Sequence, residues 1–497
     1  MKNFLVILLL IPFLGFYTSS VEATKKEERK WQDETVYYIM IDRFNNSDFT
    51  NDYDVDANDP IAYHGGDFKG IIDQLDYIKD MGFTTIALSP IFDNEEDGYH
   101  GYWINDFYNT EEHLGTLESF KQLVKEAHNR DLKVIIDFVV SHVGQTHPWI
   151  EDKAKSAWVK GKVTESKNVW VEGLPQLNLE NTEVVNYLTE AAKWWITETD
   201  IDGYRLEQLE NVPADFLNDF SKSVKEEKED FFILGDKAEL QNTEDHITGY
   251  YDYELQEPLS KVFSKPDQSL QPVHSLVENY VEKEDNPYLR GVFLDNQHTI
   301  RFTRGAVNLN EHPGPRLKMA LTNLFTIPGI PIVYYGTEIA LDGGLGDDNT
   351  KQMNFMTDKE LIEYITKIGE LRQQLPALTR GTYELLYEKD GMVVYKREVE
   401  EETAIVAINN TTKTQTVELT GLLEGNKELR GLLIGDLVRS NGDEYKVILN
   451  RDEAEIYVLT DKSGLNIPYL VVMGAVYVAF IGFVILLWRR AKKKRAS

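Results

Sequence analysis

From Thr35 to about residue 340, β-like apolar runs alternate with amphipathic helical stretches. VYYIMIDRF leads into DFKGIIDQLDYIKDMG, TTIALSPIF into LESFKQLVKEAHNRD, and KVIIDFVV follows. GYRLE, FFILGDK, RGVFLDNQ and PIVYYGTEIAL come later, with PADFLNDFSKSVKEEKED and PRLKMALTNLF between them. Parallel strands need long crossovers, and helices are the usual ones, so this order points to a parallel sheet. About eight such units over roughly 350 residues suit a TIM-type barrel, with a doubly wound open sheet as the alternative.

Residues 143–183 break the rhythm with a polar excursion that carries Trp149, Trp158 and Trp170. From about residue 380 the texture becomes that of an antiparallel β-domain, with turns at Lys389-Asp390-Gly391 and Glu400–Glu402, ending near 460. Both chain ends are apolar. Lys2, the run Phe4–Tyr17 and Val21-Glu22-Ala23 give a secretory signal over 1–23. Ile467–Trp488 holds no charge and as a helix reaches about 33 Å, the thickness of a bilayer. The tail 489–497 adds six positive charges, so it stays cytoplasmic and the body lies outside the cell membrane, a single-pass arrangement.

The formal net charge is −31 in spite of that tail. Such an acidic body repels phosphates and excludes a nucleic-acid partner; it suits a neutral ligand such as a sugar. With no cysteine, disulfides, thiolate metal sites and thiol nucleophiles are excluded.

In IDGYRLEQLEN, residues 201–211, Arg205 and Glu207 alternate on a short buried strand and point the same way. At the carboxyl end of a barrel strand they would face a pocket. The stretch resembles the Gly-(Phe/Tyr)-Arg-x-Asp signature of the α-amylase family of glycoside hydrolases. Six more stretches resemble family motifs in family order: YHGGDFKGIIDQLDYIKDMG with LSPIF, GYHGYWINDFYNTEEHLGT, DFVVSH at 137–142, LPQLN at 174–178, ILGDKA at 233–238 and FLDNQHTIRF at 293–302. The resemblance covers nearly all of residues 30–460. It implies a (β/α)8 barrel over 30–379 with a short B-domain insertion at 143–183. A C-terminal antiparallel β-sandwich over 380–460 follows, ahead of the transmembrane helix.

The chemistry implied is retaining cleavage or transfer at α-glucosidic bonds, which needs two carboxyl groups about 5–5.5 Å apart. By resemblance the nucleophile position is Glu207, where the family has Asp, and the acid position is Asp236, where it has Glu. The third position is His298 in place of Asp, beside Gln297 in place of His. Tyr102, His142, Arg205 and Asn296 match the family's sugar-holding residues. Each methylene step moves a carboxyl by about 1.5 Å, and about 1 Å of misplacement can cost a hundredfold in rate. Because the two exchanges are opposite in sign, the gap between the carboxyls would survive if the pair shifts together. Bland readings stand beside these: a buried Arg205–Glu207 ion pair, an Asp236–His298 link, a satisfied core His142, and tryptophans that only pack the excursion.

Calcium, also implied by the family, meets an eroded site: Ser141 replaces Asn, Gln176 replaces Asp, and Asn211 carries the backbone donor. The stretch DRFNNSDFTNDYDVD is rich in Asp and Asn and suits either calcium or a solvated loop. Two functions follow from the resemblance. One is a membrane-anchored α-amylase-type enzyme acting on α-1,4-glucans such as starch or maltooligosaccharides. The other is a silent relative serving as a glucan-binding or membrane-protein-partner scaffold. The separation of the Glu207 and Asp236 carboxyls discriminates the two: near the retaining value with an open cleft favours catalysis, and direct contact with His298 filling the cleft favours silence.

Overall fold

The computed structural model describes residues 29–164, 166, 168–209, 212–236, 247–284, 286–357, 359–462 and 467–494. The signal expected over 1–23 lies outside the described residues, as does Asn211. Eight parallel strands form the central sheet: β1 Val36–Ile39, β2 Thr85–Leu88, β3 Lys133–Val139, β4 Gly203–Glu207, β5 Phe232–Gly235, β6 Gly249–Tyr250, β7 Gly291–Phe293 and β8 Ile330–Tyr334. The neighbour order is β6-β5-β4-β3-β2-β1-β8-β7. A parallel bridge between Tyr251 and Gly291 joins the two edges, so the sheet closes into a barrel rather than staying open. Every residue of β4 is buried, as expected where helices cover one face and the barrel interior the other.

Crossover helices start where their sequences say they should. Asp67 caps α1 (Phe68–Asp80) by accepting from the Gly70 amide at 2.6 Å, and Phe68, Ile71, Leu75 and Ile78 form its buried stripe. Thr116 caps α2 (Leu117–His128) and Asn181 caps α3 (Thr182–Thr199). The latter helix ends on Asp200 in the left-handed region. The later crossovers are α4 (Ala214–Glu227), α5 (Tyr253–Phe263), α6 (Gln271–Lys283), α7 (Phe302–Asn308), α8 (Pro313–Thr326), α9 (Glu360–Gln374) and α10 (Pro376–Arg380). Between β3 and α3 lies the excursion, with one small hairpin, Val159–Lys162 against Pro175–Leu177.

The C-terminal domain holds β9 Thr382–Lys389, β10 Met392–Val399, β11 Glu402–Asn409, β12 Gln415–Thr420, β13 Lys427–Gly431, β14 Leu437–Arg439, β15 Glu444–Leu449 and β16 Glu453–Asp461. Six strands make an antiparallel sheet in the order β9-β10-β11-β16-β13-β14, and β12 pairs with β15. Val394, Ile405, Ala407, Val417, Val447 and Tyr457 fill the space between. Buried Arg397 ties this domain to the barrel by donating to the carbonyls of Gly381 (3.0 Å) and Thr326. Last comes α11 (Ile467–Lys494), whose segment Val471–Arg490 is long and apolar enough to cross a membrane.

The same domain junction holds His274 of α6, fully buried, whose Nδ1 meets the Tyr383 hydroxyl of β9 at 2.6 Å. Burial pushes this imidazole down to about 3. Below the ordinary histidine value the unfolded chain takes up a proton that the folded chain refuses, so stability is lost as pH falls from about 6.5. Denaturant titrations should therefore show a loss from this residue of about 3 kcal/mol between pH 6.5 and pH 4. His274→Phe should be measurably less acid-sensitive than the parent over that window.

Candidate active site

The carboxyl ends of the barrel strands bring together most of the residues singled out by sequence. Arg205 and Glu207 sit on alternate positions of β4 and face inward. Asp137 of β3 pairs with Arg205 in register, and Tyr38 lies on β1. Arg205 Nη1 meets Asp137 Oδ2 at 2.6 Å, and its other terminal nitrogen contacts Glu207. The remaining partners of the two carboxylates are neutral or ring donors. Tyr38 and Tyr102 hydroxyls donate to Asp137 at 2.7 and 2.9 Å. Gln297 Nε2 donates to Glu207 Oε1 at 3.1 Å, and His298 Nε2 sits 3.1 and 3.2 Å from its two oxygens.

All of this is sealed from solvent. The side chains of Asp137 and Arg205 are 0% exposed, Glu207 1% and His298 3%. Burial by itself pushes the Glu207 carboxyl up, but the Arg205 charge and His298 outweigh it and hold the group down at about 2. Asp137 shares the same guanidinium, and burial pushes it up to about 6. One arginine stands between two buried carboxylates and favours ionisation of Glu207.

Asp236 follows β5 and behaves differently. Its two oxygens accept the backbone N–H groups of Gln208 (2.7 Å) and Leu209 (3.1 Å). Gln208 holds a left-handed φ of 61°, rare for a residue with a side chain. That turn swings the two amides after Glu207 toward Asp236. Asp236 therefore acts as a cap on the β4 loop, and His298 contacts Glu207 rather than Asp236.

The sugar-holding candidates are likewise occupied by the chain itself. His142 is fully buried, with Nδ1 on Ser141 Oγ (2.8 Å) and Nε2 on the Tyr102 carbonyl (3.1 Å); burial pushes it down to about 4. Asn296 donates to the Tyr253 hydroxyl at 2.9 Å and accepts the His298 amide at 2.9 Å. Tyr102 is 0% exposed, and its ring lies nearly parallel to Trp170, centroids 5.9 Å apart. Trp170 is fixed by its Nε1 on Asp347 (3.1 Å) and by Trp103, which donates to its carbonyl (2.7 Å). Trp149 and Trp158 pack on each other and on Tyr187, as the packing reading has it. Trp170 instead reaches the barrel mouth, where it meets His298 edge-on at 6.3 Å. Tyr38, Tyr253 and Trp170 were not legible as site residues. Asp137 opens the DFVVSH stretch but was not singled out as a site residue either.

Ser141 and Gln176 do not fit a calcium site: the Ser141 hydroxyl is bonded to His142, Gln176 offers a neutral amide, and hard cations favour carboxylates. Among the described residues no group of three His, Asp or Glu is placed to hold a metal ion. In the Asp-rich N-terminal loop, Asp67 accepts the amides of Ser47 and Asp48, and Asp52 accepts from Asn46, so these side chains brace the loop.

Removing the shared cation should be costly. Arg205→Met leaves two buried carboxylates facing each other, and unfolding titrations at pH 7 should show a loss of about 3–5 kcal/mol. Adding Asp137→Asn and Glu207→Gln should recover much of it, because the uncompensated charge goes with them.

Comparison with known proteins places this architecture. Over 456 residues the chain is 34% identical to a beta/alpha-amylase of Paenibacillus polymyxa, an alignment covering 86% of this chain and 38% of that protein. It is 30% identical to an intracellular maltogenic amylase of Bacillus subtilis over 444 residues, 82% of this chain and 74% of the relative. Among solved structures, an Anoxybacillus α-amylase superposes with a TM-score of 0.85 at 56% identity, covering 88% of this chain and 100% of that one. The Geobacillus thermoleovorans α-amylase, solved with acarbose, gives 0.83 at 50% identity with the same coverage. The α-amylase catalytic-domain model matches residues 38–170 and 156–376, and the α-amylase C-terminal domain model matches 381–457. By these matches the chain belongs to the α-amylase family.

Proposed function

We propose that the chain is a membrane-anchored protein of the cell exterior that acts on α-1,4-glucans by the retaining route, at a rate far below that of a family member with the usual triad. The observation that carries this is Glu207 at the end of β4 against Arg205, whose charge holds that carboxyl well below the usual carboxylate range, with Asp236 at the end of the adjacent strand. In this reading Glu207 attacks the anomeric carbon while a proton from Asp236 goes to the leaving glucosyl oxygen. Water then releases the sugar, returning the proton to Asp236. Three features slow the reaction. The carboxyl groups have exchanged lengths, Asp236 must leave two amides to act as an acid, and His298 offers no negative charge to an oxocarbenium-like centre. The relatives, a beta/alpha-amylase and an intracellular maltogenic amylase, support the substrate class. Anchoring rests on α11 with its basic tail, and the hydroxyl and amide at Ser141 and Gln176 argue against a calcium requirement there.

A second reading has its own observation. His298 bridges both oxygens of Glu207 in a mouth closed by Trp170, the contact that favours a silent scaffold for glucan or a membrane protein.

The test uses the full chain in detergent on a blocked maltooligosaccharide. Slow release is expected from the parent, with at least a hundredfold loss in Glu207→Gln. Release unchanged in that variant overturns the nucleophile assignment. No release from the parent, with activity gained by Glu207→Asp, Asp236→Glu and His298→Asp together, establishes the silent reading.

A further inference from the structure

The barrel mouth lies at the carboxyl ends of β1–β8, and the opposite end is defined by their first residues. The described chain begins at that opposite end: Arg29 pairs with Glu34 (2.8 Å), just before β1, and with Asp131 (3.1 Å), just before β3. Helix α8 runs from the mouth side to the same end, because it leads directly into β8.

The C-terminal domain is aligned along α8. Asp452, just before β16, pairs with Arg316 in the first turns of the helix, whereas Arg397 of β10 binds the carbonyl of Thr326 at its last residue. Glu402, at the start of β11, accepts the Ala377 amide of α10 at 2.7 Å. In turn α10 holds Asp33, ahead of β1, through Thr379 and Arg380, each at 2.8 Å. Ala404 pairs with Val458, so in this antiparallel register Asp461 comes level with the turn at Glu401. The last strand therefore delivers the chain to the end of the barrel away from the mouth.

Between Asp461 and α11 stand five residues, Lys462 to Asn466. Fully extended, the six steps from Asp461 to Ile467 reach about 20–22 Å. The 14 residues of α8 alone rise about 21 Å between the two ends of the barrel. Only a fully extended connection, with no slack left, could climb back to the level of the mouth.

We propose that the bilayer faces the N-terminal end of the barrel strands and that the mouth opens away from the membrane, toward polymer arriving from outside. This rests on the membrane anchoring proposed above. It makes the strand-entry face, with the turn at Glu401, the surface apposed to lipid headgroups.

The chain has no cysteine, so single-cysteine variants label cleanly. Glu401→Cys marks the strand-entry end, and Leu345→Cys, 53% exposed in the loop after β8, marks the mouth side. Each full-length variant, carrying a donor dye, is reconstituted into phosphatidylcholine vesicles containing acceptor-labelled lipid and floated on a density gradient. Energy transfer from position 401 should exceed that from position 345 several-fold in the floated fraction. Equal or reversed transfer in protein that does float overturns the orientation and leaves the anchor standing. Failure of both variants to float overturns the anchor, and the orientation falls with it.

Discussion

One guanidinium holds the barrel mouth together. Arg205 is buried between Asp137 and Glu207, and Tyr38, Tyr102, Gln297 and His298 close around the two carboxylates. A single cation cannot fully compensate two buried anions, so the carboxylates respond in opposite directions, one pushed up by burial and the other held down. Strands β1, β3 and β4 and the loop after β7 each contribute a member of the cluster. Their ends are therefore fixed relative to one another by electrostatics as well as by the ladder. A polar cluster this dry is stable only when its members are hydrogen-bonded, which explains why side chains suited to holding a sugar turn inward and bind each other.

The exchange of carboxyl lengths has asymmetric consequences. The longer side chain at 207 reaches the guanidinium, Gln297 and His298 together. The shorter one at 236 settles on the amides of Gln208 and Leu209, presented by a left-handed turn. Compensation by a joint shift of the pair assumes that both groups still point into one cleft. Instead each has acquired its own set of partners, and among the described ones Asp236 accepts from the backbone amides of Gln208 and Leu209.

Much of the barrel was readable because its periodicity is local. Seven of its eight strands stand out as apolar runs, and the caps at Asp67, Thr116 and Asn181 lie where the helical patterns begin. The exception, β6, has only two residues, Gly249 and Tyr250, too few for any pattern, yet the bridge at Tyr251 closes the barrel. At the site, motif order located Arg205, Glu207, Asp236 and Asn296–His298. It did not reveal what they touch, because contacts such as Asp236 with Leu209 and Glu207 with His298 join residues 27 and 91 positions apart. Trp149, Trp158 and Trp170 look alike in sequence. The hydrogen bond to Asp347, from a loop 177 positions away, together with the one from Trp103, separates the one that covers Tyr102 from the two that pack on Tyr187. His142 shows the same limit in miniature: its Ser141 partner is adjacent, but its second ring nitrogen is satisfied by a carbonyl 40 positions earlier.

Admitting a glucosyl ring is then a question of which hydrogen bonds can be exchanged without stranding a charge. Arg205 must stay, because it is the only charged guanidinium beside Asp137 and Glu207 among their described ion-pair partners. Gln297 and the tyrosine hydroxyls donate neutral hydrogen bonds that sugar hydroxyls can replace at little net cost, since both states are then satisfied. His298 is the member that must move, and its backbone is pinned by Asn296, whose own side chain is held by Tyr253. The ring of Trp170 beside this imidazole is also held, by its Nε1 on Asp347, while Trp103 holds the Trp170 carbonyl. The barrier to a substrate in this barrel therefore resides in two rings on separate loops, and the buried ion pair beneath them is the part that a sugar leaves in place.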